Sequence, residues 1–176
     1  LIGEQNLICV DMGGTSFDVS LILNGEPDVS TSGEADGFPI LMPLVNLHTI
    51  GAGGGSIASE FGGGLRVGPA SAGAKPGPAC YGRGGTDATV TDANCVLGRV
   101  DPEGFAGGRM HLDAPAAERA TGVLADRMDI TSHRLAEGII DIANATMAQA
   151  IRTLTVEHGL EPAAFTLVAF GGAGAM

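Results

Sequence analysis

The chain has little of several things that mark particular classes of protein. Its 176 residues include no tryptophan and one tyrosine, and 9 Lys and Arg stand against 20 Asp and Glu, for a formal charge of −11. With so few basic residues and no basic cluster, we predict no binding to nucleic acid. The apolar runs are shorter than the ~20 residues that a membrane span needs, so we predict no membrane association.

Cysteine and export signals are also scarce. The three cysteines, Cys9, Cys80 and Cys95, form an odd set without a CxxC pair, which fits a reducing compartment better than a disulfide framework. The first residues have neither the charged nor the apolar region of a signal peptide, so we predict a cytoplasmic protein. For Cys80, which lies in a glycine-rich loop, a buried small residue is favoured over a nucleophile.

What the chain does have is apolar content and glycine. Hydrophobic residues make up 44% and mean hydropathy is +0.25, which predicts one folded unit, either a domain or a piece of a larger one. The 29 glycines are concentrated in the middle. We divide the chain into a hairpin and sheet region (1–48), a glycine-rich insert (49–110), and a region of helices followed by a strand and loop (111–176).

The first region predicts a β-hairpin. Leu7 to Val10 is a short apolar run, Gly13-Gly14 permits a tight turn, and residues 17–23 alternate before a second turn at Asn24-Gly25. A third strand is predicted near 27–31, and the two prolines in 39–47 indicate an edge or irregular segment.

The remaining regions are interpreted from glycine and helical spacing. From Thr49 to Gly85 we predict no regular element longer than a few residues, except a short helix at 57–60. Asp113 and Pro115 predict a helix at 116–128, and Thr131 or Ser132 predicts the cap of a longer helix at 134–158. Residues 165–170 read as a buried strand that leads into a glycine turn.

Asp11 to Asp18 is the first segment with a chemical interpretation. Glycines 13 and 14 at a hairpin tip let backbone N–H groups approach phosphate oxygens, and the Thr15 hydroxyl can add a donor. Asp11 and Asp18 can face one site as catalytic carboxylates, and Asp11 can hold Mg²⁺ through water. The alternative is a structural turn with solvated carboxylates, since short motifs are weak on their own.

Two further glycine segments are candidates for ligand binding. Gly171, Gly172 and Gly174 follow an apolar strand, where α/β folds bind nucleosides, although a plain strand-to-helix turn remains an alternative. The segment with Gly53, Gly54 and Ser56 lacks the acidic residue of a dinucleotide fingerprint and the Lys-Ser/Thr pair of a Walker A loop. What remains for it is an oxyanion site or a close packing contact.

Charged residues in and beside the glycine block complete the candidates. Arg66, Lys75 and Arg83 can hold a substrate carboxylate or a phosphate, with solvated loop charges as the alternative. Asp92 and His48 are acid–base or metal candidates by type, but no ligand spacing links them, which favours ordinary surface or core roles.

Several long motifs, in order, resemble the hydantoinase/oxoprolinase A-type family, which includes 5-oxoprolinases, N-methylhydantoinases and ketone carboxylase subunits. The motifs are Asp11-Met-Gly-Gly-Thr-Ser-Phe-Asp-Val, Ile50-Gly-Ala-Gly-Gly-Gly-Ser, Leu65-Arg-Val-Gly-Pro, Lys75-Pro-Gly-Pro-Ala-Cys-Tyr-Gly, Thr89-Val-Thr-Asp-Ala-Asn and Phe170-Gly-Gly-Ala-Gly. They extend over nearly the whole chain, which makes the resemblance far more specific than any one glycine turn.

The resemblance implies an α/β fold of the actin-like ATPase (ribonuclease H-like) type, in which the hairpin at 11–18 is the second phosphate element and 168–174 the adenosine element. It also implies ATP and Mg²⁺ as cofactors, a cyclic-amide substrate, a B-type partner subunit or domain, and an oligomer. The first phosphate hairpin of such a site has no copy in this sequence, so we expect the chain to be a central fragment with little activity alone.

Three functions follow as hypotheses. The leading one is the nucleotide-binding part of an ATP-dependent cyclic-amide hydrolase of the hydantoin or 5-oxoproline type, which activates the amide by phosphorylation. The second is a subunit of an ATP-dependent acetone or acetophenone carboxylase. The third is a non-catalytic nucleotide-binding module, against which the length of the glycine block at 51–85 argues, because such inserts suit active sites.

Overall fold

A mixed five-stranded sheet forms the centre of the structure, a computed structural model that describes residues 3–31, 33–35, 38–40, 42–174 and 176. The strands in chain order are β1 (Leu7–Met12), β2 (Phe17–Leu23), β3 (Glu26–Pro27), β4 (Val29–Ser30), β5 (Gly33–Ala35), β6 (Phe38–Ile40), β7 (Leu44–Val45), β8 (His48–Ile50), β9 (Ser56–Phe61), β10 (Gly64–Ser71) and β11 (Thr166–Phe170). The helices are α1 (Val90–Val96), a single irregular turn α2 (Phe105–Gly108), α3 (Ala114–Arg127) and α4 (Ser132–Glu157).

The order of strands in the sheet is β11-β1-β2-β3, and β8 also pairs with β2. β1 runs antiparallel to β2 and parallel to β11, so the sheet is mixed and the fold is α/β, as predicted. The carboxyl ends of β1 and β11 therefore meet at one edge of the sheet, next to the β1–β2 turn. The strand predicted at 165–170 is present as β11, but the prediction that it is buried was wrong, because four of its five residues are exposed. β4 with β7, and β5 with β6, form separate two-stranded ladders.

One face of the sheet packs against α4. Alternate residues of β1 and β2 are buried because successive side chains on a strand point to opposite faces: Ile8, Val10, Met12, Phe17, Val19 and Leu21. They belong to the same core as Leu135 and Ile139 of α4, neither of which has any exposed surface. The residues between them, including Asp11 and Asp18, lie on the opposite face and are half-buried.

The two long helices confirm the predicted capping signals. The Asp113 carboxylate accepts a hydrogen bond from the Ala116 N–H at 2.9 Å, and the Thr131 hydroxyl accepts one from the Arg134 N–H at 3.2 Å. Both helices start two residues before the predicted boundary and end one residue before it. Neither α4 nor any other helix in the described ranges has the length and hydrophobicity needed to span a bilayer.

The glycine-rich region is more regular than predicted. β9 and β10 form an antiparallel hairpin with a turn at Gly62 and Gly63, whose φ angles are +61° and +80°. The prediction of no long element at 49–85 was therefore wrong, as was the helix at 57–60, which is strand. Buried and half-buried residues alternate from Ser56 to Ser59, but apolar and polar residue types do not, so the residue pattern did not predict this strand.

The described residues of the segment at 39–47 fit the expectation of an edge or irregular segment, because each strand of a two-stranded ladder is an edge strand. They include β7 and the end of β6, each in a short antiparallel ladder, while residue 41 lies outside the described residues. The third strand predicted at 27–31 is present as two short pieces, β3 and β4. Prolines 27, 39 and 43 fit these short ladders, because proline cannot donate to a continuous one.

We expect core packing of α4 against the sheet to dominate the stability of this region. Replacing Ile139, which is fully buried, by alanine should lower the free energy of unfolding by about 2–5 kcal/mol, because it removes buried methylenes and leaves a cavity. Val156→Ala on the same helix, where the side chain is 69% exposed, is the matched control. Chemical unfolding followed by far-UV circular dichroism measures both, and equal stabilities would contradict the assignment of the core.

Candidate functional site

The two candidate catalytic carboxylates lie opposite each other on β1 and β2. Asp11 pairs with Asp18 in the register, so their Cβ atoms are about 4.5–5.5 Å apart and their side chains share one face. The Asp18 carboxylate accepts hydrogen bonds from the Ser16 hydroxyl at 3.0 Å and the Thr49 hydroxyl at 2.5 Å. Within the described residues no donor contacts the Asp11 carboxylate, which leaves it available to a ligand.

Thr49 is a site residue that the sequence did not reveal. It lies on β8 directly opposite Asp18, in a strand that was not predicted. A three-residue strand is too short to show alternation, so no sequence signal would have placed this hydroxyl against the carboxylate.

The turn between β1 and β2 presents backbone donors to solvent. Its Gly13 and Gly14 carbonyl oxygens accept hydrogen bonds from the N–H groups of Gly54 at 3.1 Å and Gly55 at 2.7 Å. Both peptide units are trans, so in each the N–H points away from the carbonyl. The N–H groups of Gly14 and Thr15 consequently point outward, and neither has an acceptor among the described residues.

The segment from Gly53 to Ser56 packs against the carbonyl side of this turn. All four residues are buried, and each of their N–H groups already has a protein acceptor. Gly53 donates to the Ser56 hydroxyl at 2.9 Å, and Ser56 donates to the Gly53 carbonyl at 3.0 Å. Of the two roles expected for Gly53, Gly54 and Ser56, the geometry favours close packing, because an oxyanion site needs unpaired donors.

The third candidate segment meets the hairpin at the same edge. The Ala173 N–H donates to the Met12 carbonyl at 2.8 Å, and Gly171 has a φ of +94°. A Cβ at Gly171 would collide with the Asp11 carboxylate and would lie 2.6 Å from the Met12 carbonyl oxygen. Gly174 is closely packed against the backbone of Phe170, while a Cβ at Gly172 would meet no atom within 4 Å. The structure thus brings Asp11, Asp18 and the two glycine turns together.

The three basic candidates have their contacts elsewhere. The Arg66 guanidinium lies over the Phe61 ring at 4.9 Å on the β9–β10 hairpin. Arg83 lies 5.8 Å from the centre of the Tyr81 ring and donates to the Ala74 carbonyl at 3.5 Å. Lys75 is exposed. In the described part of the chain, none of the three contacts the hairpin carboxylates.

Asp92 is fully buried at the start of α1, a helix that was not predicted. With Thr89 it forms a capping box, a Thr-x-x-Asp spacing that is visible in the sequence and could have revealed the helix. Its carboxylate accepts from the N–H groups of Ala79 at 3.1 Å, Cys80 at 2.8 Å and Thr89 at 3.0 Å, and from the Thr89 hydroxyl at 2.7 Å. These four donors leave the carboxylate little capacity for substrate.

Cys80 has the surroundings of a structural residue, whereas His48 lines a groove. Burial, with the nearby Asp92 carboxylate, raises the pKa of the Cys80 thiol, which opposes thiolate formation. His48 is half-buried on β8 and lines an open groove beside α4. No group of three or more His, Cys, Asp or Glu side chains with metal-site geometry occurs among the residues that the structure describes.

Comparison with known proteins decides the family. The hydantoinase/oxoprolinase family model matches residues 1–176. The chain belongs to the hydantoinase/oxoprolinase family. This confirms the resemblance that its motifs indicated.

The relatives in this family include amide hydrolases and carboxylase subunits. The chain is 44% identical over 177 residues to the caprolactamase subunit alpha of Pseudomonas jessenii, covering 99% of this chain and 25% of that protein. It is 41% identical to the acetophenone carboxylase gamma subunit of Aromatoleum aromaticum (98% and 24%), and 39% identical to the 5-oxoprolinase of Dictyostelium discoideum (98% and 15%). The chain thus spans about a quarter or less of the length of these relatives.

Solved structures of the family have the same fold. A nucleotide-free acetone carboxylase, studied for ATP-dependent acetone carboxylation, superimposes with a TM-score of 0.86 at 32% identity, covering 98% of this chain and 25% of that one. The ATP-dependent caprolactamase of Pseudomonas jessenii gives a TM-score of 0.82 at 42% identity, with 96% and 24% covered.

For this family member we predict that Asp92 stabilises the loop at 78–81 and does not contact substrate. Asp92→Asn replaces one acceptor oxygen by an NH₂ group that faces N–H or O–H donors, which should cost about 2–3 kcal/mol of stability. Asp87→Asn, an exposed carboxylate on the same loop, is the control. Thermal unfolding measures the loss, and an Asp92→Asn protein as stable as the control would contradict the structural role.

Proposed function

We propose that this chain is the nucleotide-binding part of an ATP-dependent cyclic-amide hydrolase, with the hairpin at 11–18 as a phosphate-binding element of an actin-like ATPase fold. One observation carries the proposal. Two outward N–H groups, of Gly14 and Thr15, lie on a turn directly beside a pair of opposed carboxylates. Neutral N–H groups donate hydrogen bonds to an anion, and the carboxylates beside them attract a cation. Together they are complementary to a metal-bound phosphate chain.

The donor set fits Mg²⁺–ATP. Phosphate oxygens would accept from the Gly14 and Thr15 N–H groups, and the exposed Thr15 hydroxyl could add a third donor. Apart from its chain neighbours, no atom of the described residues lies within 4 Å of a Cβ built on Gly14, so a phosphate has room to approach the backbone there. Arg66 and Arg83 make their contacts elsewhere, so we expect that backbone N–H groups and a metal would hold an anion here.

The two carboxylates would have different tasks. Asp18 is held by two hydroxyl donors, so its orientation is fixed before any ligand arrives. Asp11, with no donor among the described residues, is the better candidate to hold Mg²⁺ through water. Opposed like charges destabilise a strand pair, and a divalent cation between them would relieve that repulsion.

The glycine turn at 171–174 would accept the nucleoside. It follows β11 at the edge of the sheet where β1 also ends, and ligands in α/β folds bind at the carboxyl ends of strands. Gly172 has open space in front of its Cα, which suits a flat group that lies against the backbone.

The reaction we infer couples ATP to the opening of a cyclic amide. A bound ATP would supply the phosphoryl group that activates the amide oxygen, since an amide is stabilised by resonance and is a poor electrophile. Relatives named caprolactamase and 5-oxoprolinase support a lactam substrate, and relatives named as subunits support a B-type partner within an oligomer. Arg66, Lys75 and Arg83 remain candidates for substrate binding.

A second function is a subunit of an ATP-dependent ketone carboxylase. The observation that favours it is the similarity to the acetone carboxylase structure. Its TM-score of 0.86 is higher than the 0.82 of the caprolactamase. The same phosphate hairpin would serve either reaction, because both activate a carbonyl oxygen.

Substrate-stimulated ATP hydrolysis separates the two. The protein made from its complete reading frame, with any subunit that copurifies, is assayed for phosphate release with 5-oxoproline, hydantoin, caprolactam, or acetone plus bicarbonate, each against ATP alone. We expect a several-fold increase with one of the cyclic amides. An increase only with acetone and bicarbonate would establish the carboxylase, and no increase with any compound would contradict both functions.

Gly14→Ala tests the phosphate-binding role of the hairpin. The added methyl meets no protein atom within 4 Å and φ is not left-handed, so the fold should tolerate it. It would, however, occupy the approach of a phosphate, and we expect the dissociation constant for Mg²⁺–ATP to rise about tenfold or more, a loss of about 1.4 kcal/mol. Gly64→Ala, on the β9–β10 hairpin, is the control. Calorimetric titration that shows equal affinities would argue that the turn is structural only.

A further inference from the structure

We propose that Gly53, Gly55 and Thr91 are positioning residues that hold the β1–β2 turn in the conformation that accepts phosphate. The inference deepens the proposed function and rests on it. It assigns the glycine loop at 53–55 an indirect role in nucleotide affinity. The loop positions the turn and does not itself contact nucleotide or substrate.

The hydrogen bonds decide which way the turn faces. A turn built on Gly13-Gly14 can rotate its peptide units easily, because glycine adopts positive as well as negative φ. A rotated unit would aim a carbonyl oxygen at the phosphates and repel them. The bonds from Gly54 N–H to the Gly13 carbonyl and from Gly55 N–H to the Gly14 carbonyl prevent this rotation, since both carbonyls must stay inward to keep them.

Close packing of the loop against the turn also restricts the turn to this conformation. A Cβ at Gly53 would lie 2.7 Å from the Gly13 carbonyl oxygen and 2.8 Å from the Thr15 nitrogen. A Cβ at Gly55 would lie 2.8 Å from the Gly14 carbonyl oxygen. These contacts are with backbone atoms of the turn itself, so any side chain here must displace the N–H groups that we assign to phosphate.

Thr91 fixes the loop to α1. Its N–H and its hydroxyl each donate to the Gly54 carbonyl at 2.8 Å, and the residue is 1% exposed. The peptide unit between Gly54 and Gly55 is thereby held from its carbonyl side, while its N–H, on Gly55, donates to the turn. Thr91 therefore acts on the turn through one peptide unit and has no contact of its own with it.

The loop also contains its own control. Gly51 is exposed and its φ is not in the left-handed region. Apart from its chain neighbours, no atom of the described ranges lies within 4 Å of a Cβ built there. Gly51→Ala and Gly53→Ala thus make the same chemical change two residues apart, and only one of them collides with the turn.

The first experiment measures Mg²⁺–ATP affinity and steady-state kinetics of the complete protein. For Gly53→Ala we expect the dissociation constant and the KM for ATP to rise about tenfold or more. The KM for the cyclic amide that stimulates ATP hydrolysis, measured at saturating ATP, should stay within about twofold of wild type. Gly51→Ala should match wild type in all three. If Gly53→Ala folds and binds ATP as tightly as Gly51→Ala, the inference is wrong.

The second experiment uses Thr91 and stays informative if Gly53→Ala does not fold. Thr91→Val keeps the shape but removes the hydroxyl bond to Gly54, and we expect the KM for ATP to rise about three- to tenfold. Thr91→Ser restores the hydroxyl and should bring the KM back to within about twofold of wild type. Equal KM values for the valine and serine variants would overturn the inference, because a purely packing role would not depend on the hydroxyl.

These outcomes are separable from those of the proposed function. If wild type binds no Mg²⁺–ATP, the proposed function fails, and the inference fails with it. If wild type binds and Gly14→Ala does not, while Gly53→Ala and Thr91→Val bind normally, the hairpin is the phosphate site but the glycine loop does not position it. Only weakened binding in both Gly53→Ala and Thr91→Val, or in Thr91→Val with rescue by serine, supports the inference.

Discussion

Two hydrogen bonds between glycine backbones set the direction of the candidate phosphate site. Gly54 and Gly55 hold the carbonyls of Gly13 and Gly14 inward, and the planarity of the peptide unit then turns the N–H groups of Gly14 and Thr15 outward. The carboxylates of Asp11 and Asp18 are fixed by strand register beside these donors. The proposed binding of phosphate depends on this arrangement, because only donors that no other part of the chain satisfies are available to an anion.

Several glycines around the candidate site allow close approach of backbone segments. At Gly53, Gly54, Gly55 and Gly171, a Cβ would lie under 3 Å from atoms of neighbouring segments. The hairpin turn, the loop at 53–55, the start of α1 and the turn after β11 can therefore approach one another at backbone distance.

The sequence predicted the parts whose signals are local. The β1–β2 hairpin, the caps at Asp113 and Thr131 and the strand at 166–170 follow from alternation, capping residues and apolar runs over a few positions. It failed at β9, where apolar and polar residue types do not alternate, so nothing local indicated a strand. The helix α1 was missed although Thr89 and Asp92 carry the spacing of a capping box.

By itself, then, the sequence determined the family and the α/β class and indicated the candidate residues for phosphate binding, because motif order and residue type are properties of the chain alone. Only the tertiary structure decided their roles. It placed Thr49 against Asp18, surrounded the Asp92 carboxylate with four protein donors and turned the glycine loop from a candidate oxyanion site into a support for the hairpin. The physical reason is that a donor or acceptor is available to a ligand only if no other part of the chain satisfies it. The group that satisfies it can be far away in sequence, as Gly54 is about 40 residues from Gly13.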